Sequence, residues 1–142
     1  MKKLLLILSL IFFAVLPAKA DLNENLKPLI SLPYKSVGDM SEMLGRCGAI
    51  QLVNLKLNLS KAASDKRFSD SETFMTANIK VLQAVYPNKT GRDIQLDAIK
   101  FNQFYIEKYN QEINKGLIAA DRTYCDERLD WVKKKKWEDI LK

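Results

Sequence analysis

Residues 36–59 read SVGDMSEMLGRCGAIQLVNLKLNL, and this stretch decides the fold. Ser36 followed by Asp39 is a capping box, in which a serine hydroxyl satisfies the amide three residues on. Asp39 and Glu42 then sit where the helix dipole favours negative charge. Met40, Met43, Leu44, Cys47, Ile50, Leu55 and Leu57 recur at helical spacing, which predicts a first helix of about 20 residues running towards Leu59. Cys47 falls on its apolar face. Gly45 and Gly48 would each weaken a helix by about 1 kcal/mol, so close approach of a partner segment is expected there, and that partner should carry Cys125. Arg46, between the two glycines, is expected to be an exposed helical arginine; the alternative is a guanidinium offered to an anion in a groove.

The start of the chain points to a compartment. Lys2 and Lys3, the apolar run from Leu4 to Leu16, and Ala18-Lys19-Ala20 stand in the order of an export signal at residues 1–20, cleaved near Ala20. The apolar run is shorter than the ~20 residues a spanning helix needs. No cysteine stands at the cleavage point, which argues against a lipid anchor. The expected destination is the periplasm or the medium. Cys47 and Cys125 are the two cysteines of the chain, and in an oxidising compartment one long-range disulfide is the economical reading. On the chain-entropy view it would stabilise the fold by about 4 to 5 kcal/mol. Redox catalysis needs a nearby resolving thiol, and the chain has no Cys-x-x-Cys.

Outward from the first helix, residues 21–35 form an arm in which Pro28 and Pro33 forbid a continuous helix. Leu26, Leu29, Ile30, Leu32 and Tyr34 are expected to dock on a groove between helices; the alternative is that they are offered to a partner. Ser60 to Arg67 is polar and reads as a loop or a fraying helix end. Ser69 to Glu72 is a second capping box, followed by Met75, Ile79, Leu82 and Tyr86 along one stripe until Pro87. Thr90 to Asp93 opens a third helix, with Ile94, Ala98, Phe101, Tyr105 and Tyr109 facing inward and Gly116 near its end. A fourth helix is expected from Leu117 or Asp121 to Val132, with Ile118, Cys125, Leu129 and Val132 on one face, packed against the first. The remainder, to Lys142, either prolongs this helix or folds back. Strand signals are thin. The prediction is an all-α, four-helix bundle-like domain over residues 36–142, with an extended N-terminal arm and one disulfide joining the first and last core helices.

The chain contains no histidine. Hydrolases with an imidazole base, zinc sites of the histidine type, histidine-ligated haem and the Glu-x-x-His di-iron pattern are thereby excluded. No phosphate-binding glycine loop or Gly-x-Ser-x-Gly is present. Neither a cofactor nor a metal is expected. Asp93 and Asp97 share a helical face, and Asp126, Glu127 and Asp130 cluster beyond Cys125. Helix-dipole and solvated mixed-charge roles account for both sets, so no catalytic residue is assigned.

The net charge of +6 is halved when Lys2, Lys3 and Lys19 leave with the leader. This modest charge and export together argue against nucleic acid as a partner. Lys133, Lys134, Lys135 and Lys136 stand between Trp131 and Trp137 as the candidate contact surface, suited to anionic lipid, cell-wall polymer or an acidic protein. The bland reading is cations near a helix C-terminus and indoles completing the core. The expectation is an exported protein that acts by binding an envelope component or a protein partner, without chemistry of its own. A carboxylate-dependent hydrolase of an envelope polymer and a structural accessory subunit of an envelope complex are the alternatives.

Overall fold

The structure is a computed structural model that describes residues 25–33, 35–55 and 59–141. The leader, Asp21, Tyr34 and Leu57 lie outside the described residues. Four helices, α1 (Val37–Leu52), α2 (Lys61–Val85), α3 (Gly91–Asn110) and α4 (Ile118–Lys133), pack together, and the described residues contain no strand. Short 3-10 segments at Leu29–Ser31, Glu112–Leu117 and Lys136–Leu141 complete the chain.

α1 is the central element and contacts all three other helices. Met40, Met43, Leu44, Cys47 and Ile50 are buried as their spacing requires, but so are Ser41, Arg46 and Gln51 on its other faces. Its start is the expected box: the Asp39 amide donates to Ser36 Oγ at 3.1 Å and the Ser36 amide donates to Asp39 Oδ2 at 2.9 Å. Its end differs from expectation. α1 stops at Leu52 rather than near Leu59, and Asn54 takes a left-handed φ of 59°, a conformation that asparagine tolerates better than most residues.

The disulfide forms between Cys47 and Cys125, whose Cα atoms lie 5.3 Å apart across a separation of 78 residues. The first and last helices are therefore joined covalently. The two glycines of α1, however, serve different neighbours from the one expected. A Cβ on Gly45 would collide with the Phe101 ring, and one on Gly48 would lie 2.9 Å from Asn102 Nδ2. The close approach is made by α3, with Met75 and Ser71 of α2 beside Gly48, and not by the helix carrying Cys125.

α2 begins at Lys61 with Ser60 as its cap, well before the predicted Ser69. The Ala63 amide donates to Ser60 Oγ at 3.3 Å. The polar first turns still form helix because no proline or glycine interrupts them. The inward face is also rotated from the predicted stripe. Phe74, Ala77 and Val81 are buried, whereas Met75, Ile79, Leu82 and Tyr86 flank them half-exposed. Asp70, Ser71 and Asn78 share the buried face and hide its period: Ser71 Oγ donates to the Gly48 carbonyl at 2.8 Å, and Ser41 Oγ donates to Asn78 Oδ1 at 2.7 Å.

α3 starts on the Thr90 cap as predicted and ends at Asn110, so Gly116 falls in the following 3-10 segment. Ile94, Ala98, Tyr105 and Tyr109 are buried, with Phe101 half-exposed beneath Gly45. On α4, Cys125, Leu129 and Val132 face the core. The tail folds back, with Lys135 at a left-handed φ of 54° ending the helix. The arm docks on the body through Leu29, which is fully buried, with Leu26 and Leu32 against the same core; Ile30 points away and is exposed.

Candidate functional site

Where α4 ends, two residues in succession change the direction of the chain. Lys134 donates its amide to the Asp130 carbonyl at 3.0 Å and Lys135 donates to Val132 at 2.9 Å. A left-handed residue after a helix is ordinarily glycine, and here it is Lys135. The reversal turns Trp137 into the core, where it is 3 % exposed and donates Nε1–H to the Val132 carbonyl at 3.3 Å. Trp131 packs half-buried against the same core. Trp137 is thus a core residue and Trp131 lies half-buried at the core's edge, while Lys133, Lys134, Lys135 and Lys136 remain exposed around the turn.

These lysines are not equivalent. Lys134 Nζ lies 2.6 Å from Asp130 Oδ2, and its hydrogen bond holds the Asp130 carboxyl below its ordinary range. Lys133 Nζ stands 3.9 Å from the buried Asp70 carboxylate, which Lys66 also meets. Lys135 borders an open groove of about 420 Å³ between α2 and the tail, with Ser69, Thr73, Thr76, Lys80 and one carboxylate, Glu72, along its sides. Lys80 Nζ lies 6.0 Å from the centroid of the Trp137 ring, so the groove floor is an indole with a cation over it.

The second cluster was not visible in the sequence. Arg46, read there as exposed, is fully buried. Its Nη2 donates to Asp121 Oδ2 at 2.6 Å and to the Lys27 carbonyl at 2.8 Å, and its Nε donates to Tyr109 Oη at 3.1 Å. Tyr109 Oη in turn donates to Asp121 Oδ2 at 2.6 Å, and Asp121 Oδ1 takes the Leu29 amide at 2.9 Å. Asn114 completes the seat of the arm by accepting from the Leu26 amide at 2.9 Å. Burial pulls the Arg46 guanidinium down, but Tyr109, Asp121 and Glu42 hold it above its ordinary value. Burial pushes the Tyr109 phenol up. Closed from solvent and internally satisfied, this cluster ties the arm, α1, α3 and α4 together and offers no free group to a substrate.

Three of the candidate carboxylates are engaged by other side chains. Asp93 accepts from Thr90, Asp97 pairs with Lys89 at 2.6 Å, and Asp126 Oδ1 accepts from Gln51 Nε2 at 2.8 Å. Among the described residues, no group of three or more acids and cysteines is placed to hold a metal ion, and no helix is long and apolar enough to cross a membrane. In comparisons with protein-family models, with curated proteins and with solved structures, nothing matches this chain.

Proposed function

We propose that this is an exported helical protein that acts by binding an anionic envelope component, with the lysine turn at the end of α4 as its contact surface. The observation that carries this reading is Lys135. A left-handed non-glycine residue costs about 1 kcal/mol or more, and such strain tends to be kept where a side chain must be aimed. Here it aims a lysine at the rim of a hydroxyl-bearing groove, beside Lys133 and Lys80. The disulfide supports export, because thiols in reducing compartments seldom pair permanently. A binding role fits a groove with one acid rather than the facing pair that glycoside hydrolysis needs.

The test is sedimentation of the mature protein with phosphatidylglycerol vesicles, with phosphatidylcholine vesicles and with isolated cell wall. Binding to the anionic vesicles or to the wall should weaken with salt and be lost when Lys133 to Lys136 are changed to glutamine. Pelleting that is unaffected by those changes removes the turn as the contact. A second reading, assembly into an envelope complex, is favoured by Leu96 and Ile99, which lie three residues apart on α3 and are 44 % and 43 % exposed. Crosslinking from that face distinguishes it.

A further inference from the structure

A second cleft, of about 330 Å³, lies where the end of α1 meets the start of α4, lined by Asn54, Asn110, Lys115, Ile118, Ala119 and Arg122. Its lining contains two cations, two amides, an apolar wall and no acid.

Arg122 anchors it. Its Nη2 donates to the carbonyls of Ile50 and Val53, both at 3.1 Å, which fixes the guanidinium against the C-terminal end of α1. The head is therefore held in place without being neutralised. Among the described residues no carboxylate lies within 4.0 Å of it, and its Nε is buried with no acceptor. Asp126, one turn along α4, is engaged with Gln51. Burial, and then the like charge of Arg67 on α2, make the charged form of Arg122 less comfortable, with Asp126 opposing them. Lys115 is the second cation, and its partner Glu112 is an exposed carboxylate that a stronger anion can displace. A buried donor without an acceptor is rare in folded proteins and calls for an explanation, and the cleft bordered by the same guanidinium is one place to look for it. An oxyanion is the group that a guanidinium fork, an ammonium and carboxamide donors recognise together.

We propose that this cleft binds a small ligand bearing a carboxylate or phosphate group, with Arg122 as the anchor, Lys115 as the second cation, and Ile118 and Ala119 against any apolar portion. The site is separate from the lysine turn and does not depend on the binding role proposed for it.

The test is amide and side-chain NMR of the disulfide-intact mature protein at constant ionic strength, titrated in turn with inorganic phosphate, butyrate and chloride. Saturable shifts are expected at residues 115–122, Asn54, Asn110 and the Arg122 Nε–H with phosphate or butyrate, and not with chloride. Tighter butyrate binding would identify an organic acid as the ligand class, and tighter phosphate binding a phosphorylated one. Lys115→Gln and Arg122→Lys should each weaken the better ligand by about tenfold. Lys115 is exposed and caps nothing, so its variant tests the site even if Arg122→Lys loosens α1. Shifts that fail to saturate, that chloride reproduces, or that survive Lys115→Gln unchanged would overturn the proposal.

Discussion

Asp121 Oδ2 accepts from Arg46 Nη2 and from Tyr109 Oη at the same distance, 2.6 Å, in a site where both Arg46 and Asp121 are closed to solvent. Removing the carboxylate leaves a desolvated guanidinium whose remaining counter-charge is the more distant, partly exposed Glu42 at 3.4 Å. Asp121→Asn is therefore expected to destabilise the fold by about 3 to 5 kcal/mol, read by urea denaturation. Tyr109→Phe, which keeps the ring and removes one hydrogen-bonded hydroxyl, should cost about 1 to 3 kcal/mol. Equal effects of the two changes would contradict the geometry.

The arm separates burial from position in the chain. Leu29 is fully buried while its neighbour Ile30 is 79 % exposed. Leu29→Ala is expected to cost about 2 to 5 kcal/mol, and Ile30→Ala less than about 0.5 kcal/mol. The difference in thermal midpoint between the two variants checks it.

Three glycines allow a sharper contrast. A methyl on Gly38 meets Ser36 Oγ at 3.5 Å, an ordinary contact, whereas one on Gly45 meets the Phe101 ring. Gly38→Ala should be neutral or stabilise by up to about 1 kcal/mol. Gly45→Ala should destabilise by about 1 to 3 kcal/mol as Phe101 is forced out of place. Gly48→Ala should fall between them, since Asn102 and Met75 can yield in part.

Hydrogen bonds from the Ser36 side chain first, and then from the amides of Ser36 and Lys35, hold the Asp39 carboxyl below its ordinary value. A depressed folded-state pKa means that the contribution is complete above the unfolded carboxylate value and fades as pH falls through the folded one. Ser36→Ala should therefore lower stability at neutral pH and flatten the loss of stability at acid pH. Denaturation midpoints between pH 7 and about pH 2 test this.

The signals legible in the sequence were those that act locally. The caps at Ser36 and Thr90 and the chain stop before Pro87 depend on side chains a few residues apart, and the structure repeats them. The cysteine pairing followed because there were only two partners to choose from. The lost information concerns neighbours. Periodicity identified an apolar side of α1 but not that other helices would cover its remaining sides, so Arg46 was assigned to solvent. Its partner Asp121 lies 75 residues away, and a carboxylate in the first turn of a helix has a sufficient local explanation. On α2, buried Asp70, Ser71 and Asn78 broke the apolar rhythm and shifted the predicted face. The turn lysines were identified, yet that Trp137 folds inward depends on the reversal at Lys135, which no residue type announced.

The enclosure of α1 also constrains the order of biosynthesis. The helix at the centre of the molecule is among the first to emerge, and the three helices that shield it are made later. Until α4 arrives with the second sulfur, one side of that helix stays uncovered and its cysteine unpaired. Chains interrupted before Val132 should accordingly be held by chaperones and cleared by proteases rather than accumulate as a smaller folded unit.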